Sequence, residues 1–199
     1  MLSLSKLAGL CLCLTFVGCA STKVNYSGEV PTTSICQASN ESLSALVLWD
    51  TKWRSDQKDA PQRELALQQG LQHFFTQSGC FSAYELKRLP SSKNAQSPGM
   101  AELLAQASSM KPKLNRVIVV TVSELGPVVR LLSSAALVEG ATQVVFDLVA
   151  TDIDAAAPIA NFRTRWENGG SMVLKGVASL PQDVSAAMQA AMQANLRQP

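Results

Sequence analysis

The pattern of apolar and polar positions changes rhythm several times along this 199-residue chain. Residues 7–17 form a continuous apolar run behind a single charge, Lys6. Residues 20–42 are polar and short of aliphatics, the composition of a flexible tether. Residues 42–49 then turn apolar, with Leu46, Val47 and Leu48 in a row, which predicts a buried strand. Pro61 opens a segment in which Leu67, Leu71, Phe74 and Phe75 recur at helical spacing before Gly79, predicting an amphipathic helix over 61–78. Residues 81–89 alternate loosely and read as a strand, 90–99 as a loop, and 100–110 as a shorter helix carrying Leu103, Leu104 and Ala107 inward. The β-branched run 117–122 predicts a strand covered on both faces. Gly126-Pro127 breaks or bulges it, 128–132 extends it or forms a hairpin arm, and Gly140 marks a turn. Residues 144–153 read as a long strand and 154–158 as the next turn. Phe162, Thr164 and Trp166 then alternate with Arg163, Arg165 and Glu167, the period of a half-buried antiparallel strand, ended by Gly169-Gly170. Ser179 and Gln182 have capping-box spacing around Pro181, and Val184, Met188, Ala191 and Met192 make the buried face of a last helix. The order β-α-β-α-β-β-β-α predicts an α/β (α+β) sandwich, a mixed sheet of about five strands with two to three packed helices.

The run at 7–17 suits the apolar region of an export signal and is too short to span a bilayer, which needs about 20 residues. The string Phe16-Val17-Gly18-Cys19-Ala20-Ser21 resembles the lipobox of bacterial lipoproteins, with Phe16 in place of the usual Leu. That resemblance implies cleavage after Gly18 and acylation of Cys19, including palmitate-type chains. It also implies sorting to the inner leaflet of the outer membrane, since no Asp follows the cysteine. The chain then divides into a signal peptide at 1–18, a lipidated flexible tether at 19–42 and a single periplasmic domain at 43–199.

Charge narrows the partners. The formal net charge is +2 and falls by one when Lys6 leaves with the signal. Such a chain has no electrostatic footprint for nucleic acid. Of five cysteines, Cys11 and Cys13 belong to the signal and Cys19 takes lipid, leaving Cys36 and Cys80. An even pair in an oxidising compartment is expected to form a disulfide, the alternative being two separate buried thiols.

The chemistry-bearing residues are sparse. His73 is the single histidine and sits at the edge of the predicted apolar stripe, as a core-edge or surface residue. Asp152-Ile153-Asp154 opens like a calcium loop, but Ala156, Ala157 and Arg163 stand where a ligand, the turn glycine and the closing Glu belong, so it reads as a solvated turn. Asp50, Asp56 and Asp59 read as solvated in a polar loop. No nucleotide or hydrolase fingerprint is present. No catalytic residue, metal or cofactor is expected, and the protein is not expected to be an enzyme. Trp49 and Trp53 either close the sheet edge as core residues or form a contact for a partner, a role Trp favours.

The arrangement of elements resembles the TolB amino-terminal-domain and CsgG-like fold, seen also in lipoproteins of the LpoB and PelC type. The resemblance is carried by strand 45–49, helix 62–77 closing with Gln77-Ser78-Gly79-Cys80-Phe81, strand 116–123, the pair 142–152 and 160–167, and the Ala-rich helix 183–196. The auxiliary lipoproteins of ABC-type lipid transporters resemble it as a second choice, with a Trp near the first helix and the same Ser-Gly-x-Phe turn. Both resemblances imply a non-enzymatic accessory or scaffold in an envelope assembly, secretion or transport machine, with envelope proteins as partners and a homo-oligomeric ring as one mode of assembly. An envelope hydrolase is the class-distant alternative.

Overall fold

The computed structural model describes residues 20–37, 43–89, 98–131, 138–171 and 173–195. The signal segment, Cys19 and most of the 90–99 loop lie outside the described residues. The described chain forms one six-stranded sheet with three helices, an α+β architecture. The strands are β1 (Ser21–Glu29), β2 (Leu43–Thr51), β3 (Phe81–Arg88), β4 (Arg116–Leu131), β5 (Val138–Asp152) and β6 (Pro158–Ser171). The helices are α1 (Ala60–Gln77), α2 (Met100–Ser108) and α3 (Leu180–Met192). Across the sheet the order is β1-β6-β5-β4-β2-β3. β2 runs parallel to both β3 and β4, and the other pairs are antiparallel.

Each helix follows from its sequence. Pro61 occupies the first turn of α1, where its missing N–H costs nothing. Leu67, Leu71, Phe74 and Phe75 are buried. Gly79 closes the helix at φ 66°, a left-handed conformation that glycine adopts without a Cβ penalty. α1 and α3 cover one face of the sheet over a core that includes Val47, Phe74, Phe146, Phe162, Trp166 and Met188. On the other face α2 covers only the β2–β4 region, where Leu46, Leu48, Leu103 and Val117 form a second cluster. Among the described residues no helix covers the rest of that face, as antiparallel sheets allow. Arg163 there donates to Asp147 at 2.8 and 2.9 Å, and Arg130 donates to Glu167 at 2.7 and 2.8 Å.

The first departure from expectation is β1. The polar segment read as a flexible tether is, over Ser21–Glu29, an edge strand paired along β6 from Ser21↔Gly169 to Glu29↔Asn161. Only Val24 and Tyr26 turn inward, because an edge strand needs few apolar residues. The Tyr26 hydroxyl donates to the Ala190 carbonyl (2.9 Å), and burial pushes its phenol up. Ser34 Oγ donates to the Met192 carbonyl (3.0 Å). The domain therefore begins near residue 21, not 43.

Gly126-Pro127 does not end β4, nor Gly169-Gly170 β6, and Gly140 lies inside β5. β4 bulges earlier, between Val122 and Glu124. Beyond Val122 it has lost β2 as a neighbour, so Pro127 sits on a free edge. Gly140 is needed because the chain after β6 folds back across it; a Cβ there would strike the Val173 carbonyl. The predicted capping box on α3 is also replaced. Ser179 Oγ donates to the Gly176 carbonyl (3.0 Å) and to Asp183 Oδ2 (2.9 Å), and Asp183 takes Lys175 Nζ at 2.7 Å.

Candidate functional site

β2 and β4 end at the same side of the sheet but then diverge. The chain leaves β2 through residues 52–59 into α1, while β4 continues alone past its bulge. The gap is a cleft of about 280 Å³ whose lining includes Arg54, Asp56, Arg63, Glu124, Gly126 and Gln143. Crevices at the carboxyl ends of parallel strands are where open sheets of this kind bind ligands. Arg54 bridges Asp56 (2.7 Å) and Glu124 (3.3 Å). The Asp56 hydrogen bond, then that of Glu124, raises the Arg54 guanidinium, and Arg54 holds the Asp56 carboxyl below its ordinary range. Arg63, in the first turn of α1, donates to the Lys58 carbonyl (2.7 Å) and to the Leu125 carbonyl, its guanidinium lying against Gly126. Gln143, with its amide nitrogen toward Glu124 Oε2 (3.2 Å), accepts from Arg165 (2.9 Å). Both guanidiniums are thus committed to acceptors within the protein. A polar group entering the cleft would have to exchange with these pairs.

Beneath the cleft a second network fastens α1 to the sheet. Glu64 accepts from Thr51 Oγ1 (3.0 Å), Trp53 Nε1 (3.3 Å) and Arg88 (2.8 Å). Burial pushes the Glu64 carboxyl up, but the Arg88, Thr51 and Trp53 hydrogen bonds with the Arg88 charge outweigh it and hold the group below its ordinary range. This resolves the two tryptophans. Trp49 is only 3% exposed, with the Arg88 guanidinium 5.0 Å over its ring. It is core, which corrects the partner-contact reading. Trp53 is half-buried against the same core and spends its indole N–H on Glu64.

The cysteines meet at the opposite end of the sheet. Cys36, on the short 3-10 turn Ile35–Gln37, is bonded to Cys80 beyond α1, with their Cα atoms 5.1 Å apart. The segment after β1 is thereby fastened to the α1–β3 connection. His73 is exposed on α1 and shares a hydrogen bond with Ser185 of α3 (3.0 Å). A Ser–His pair has nucleophile-and-base reach, but no carboxylate among the described residues orients the other ring nitrogen. Asp152 and Asp154 pair with Arg116 and Lys113. Asp50 is not loop-borne: it lies in β2, and its Oδ1 is buried with no hydrogen-bond partner among the described residues. No group of three or more His, Cys, Asp or Glu suited to a metal occurs among the described residues.

Arg63, Arg88 and Glu124 have no signal in the sequence, and Glu64 reads there only as an acidic residue suited to the start of a helix. Their partners lie as far as 70 residues away, and no local pattern marks them.

No family model and no curated protein sequence matches the chain. Several solved structures are similar to it at low identity and low TM-score. The PelC dodecamer from Paraburkholderia phytofirmans is 13% identical with TM-score 0.42, covering 88% of this chain and 99% of that one. Lipoprotein GNA1162 from Neisseria meningitidis is 13% identical with TM-score 0.39, covering 73% and 95%. Protein XCC0632 of Xanthomonas campestris, of family DUF330, is 12% identical with TM-score 0.33, covering 88% and 87%. At these scores the likeness fixes neither family nor activity. No helix among the described residues is long and apolar enough to cross a membrane.

Proposed function

We propose that this protein is a lipid-anchored envelope protein acting as a non-enzymatic accessory or scaffold at the periplasmic face of the outer membrane. Acylated Cys19 supplies location and the α+β domain supplies protein-binding surface. One observation carries the reading: the Cys36–Cys80 bridge stands in a chain whose residues 6–19 have the order of an export signal ending at a lipidation cysteine. Disulfides persist in exported proteins and are rare where thiols are kept reduced. Two features far apart in the chain thus ask for the same compartment. The ion-paired cleft and the open, charged half of the sheet suit protein recognition, because exposed pairs of this kind are worth little to stability and much to orientation.

Fractionation of cells expressing the intact chain and a Cys19→Ser variant tests the anchor. The intact protein is expected with the outer membrane and labelled by a palmitate analogue; the variant is expected unlabelled and soluble in the periplasm. A variant that stays on the membrane would sink the anchor. In-cell cross-linking tests the scaffold role. Joined envelope proteins, or a self-linked ladder of ring type, are the expected products. Turnover of an envelope substrate by the purified protein, lost in His73→Ala, would replace the scaffold with a hydrolase.

A further inference from the structure

β1 begins at Ser21, so Ala20 alone separates the sheet from Cys19. Consecutive Cα atoms are about 3.8 Å apart, so Cys19 stands within about 8 Å of the first strand residue. Lipid on Cys19 then leaves the domain no slack, and one end of the sheet must lie at the bilayer. The register identifies that end. Ser21 faces Gly169, Glu139 faces Ser171, and Val129 faces Gly140.

This same end exposes apolar side chains. Large hydrophobic residues in solvent are few among the described residues: Leu65, Val129 at 62% and Leu174 at 84%. Two of them are neighbours here. A Cβ on Gly140 would stand 3.7 Å from the Leu174 Cα, and Gly140 is the register partner of Val129. Two nearby charge pairs are internal, Glu167 with Arg130 and Lys175 with Asp183, while Glu139, opposite Arg130, and Lys23, opposite Glu167, form no ion pair at this end among the described residues. The Arg130 hydrogen bond also keeps the Glu167 carboxyl below its ordinary range. An exposed apolar ledge on the end of the sheet whose edge strand β1 begins two residues from Cys19 fits the headgroup–acyl boundary of a bilayer.

We infer that this end of the sheet rests on the membrane, with Leu174 and Val129 as a shallow second contact that fixes the domain's orientation. The inference rests on acylation of Cys19 as proposed above. It places the β5–β6 turn far from the lipid, roughly 45 Å along β5 at the usual strand rise. The open charged face of the sheet then stands across the membrane plane, presented sideways to partners.

The test uses the intact lipidated protein reconstituted in phosphatidylethanolamine–phosphatidylglycerol vesicles with brominated acyl chains. Cys36 and Cys80 are bonded, so a bimane label reports a single added cysteine. Leu174→Cys and, separately, Val129→Cys are expected to lose at least half their fluorescence. Ala155→Cys, exposed in the β5–β6 turn, is expected to lose none. Protein that floats with the vesicles while all three labels stay bright would overturn the docking and leave the anchor standing. Cross-linking of Leu174→Cys between copies, without quenching, would assign the ledge to a second copy and overturn it as well. Protein that does not float at all would remove the anchor, and the docking with it.

Discussion

Gly70 sets how closely α1 and α3 approach, and replacing it with Ala isolates that contact. A Cβ built on Gly70 would lie 2.6 Å from the Pro181 carbonyl oxygen, 2.6 Å from Val184 Cβ and 2.7 Å from Val184 Cγ1. That is roughly 0.8 Å inside ordinary van der Waals contact. One of the obstructing groups is backbone at the start of α3, so relief requires the helix to retreat. Val184 and Met188, both buried, would retreat with it and lose dispersion contacts with the sheet. Two effects oppose each other. Ala favours the helix over Gly by about 1 kcal/mol. Overpacking a tight interface costs about 1–3 kcal/mol. Because backbone at Pro181 must move, the packing loss falls at the upper end of that range, for a net destabilisation of about 2 kcal/mol, or roughly 4–8 °C in Tm for a chain of this length. Urea and thermal unfolding followed by tryptophan fluorescence read this directly, since Trp49 and Trp166 are buried. Gly176→Ala is the control; nothing lies within 4 Å of its Cβ position, and it is expected to change stability by less than about 0.5 kcal/mol. A Gly70→Ala protein as stable as the parent, or more so, would refute the close crossing.

Two further outcomes follow from the same structure. Replacing both Cys36 and Cys80 by Ala reopens a loop with a sequence separation of 44, which on the chain-entropy model costs about 4 kcal/mol; urea midpoints with and without reductant should converge in the variant and differ in the parent. Glu64→Gln should destabilise by about 1 kcal/mol at neutral pH, the charge-assisted bonds being discounted because Arg88 is 42% exposed. Since the folded carboxyl lies below its unfolded value near 4.5, its contribution is present above that pH and is lost as pH falls through the folded value. Parent and variant stabilities should therefore approach one another in acid, and a constant gap down to pH 3 would contradict the network.

Much of this protein was decided locally. The β-branched run at 117–122, the helical stripe Leu67, Leu71, Phe74 and Phe75, and the two-residue alternation from Phe162 to Glu167 each became the element their period implied, because burial of one face is a local demand. The Cys36–Cys80 bridge joins the two cysteines that the expected signal and lipobox leave over. Other features needed the whole sheet. Val24 and Tyr26 do alternate with Lys23, Asn25 and Ser27, but two inward residues are too faint a signal until β6 supplies the partner. Gly126, Gly140 and Gly169 look like turns in sequence; they are strand residues where another segment crosses close by. The cleft is more remote still. Arg54, Arg63 and Glu124 meet only because β2 and β4 run parallel and then part, and parallel pairing is set by contacts distant in the chain, which no short window of sequence contains.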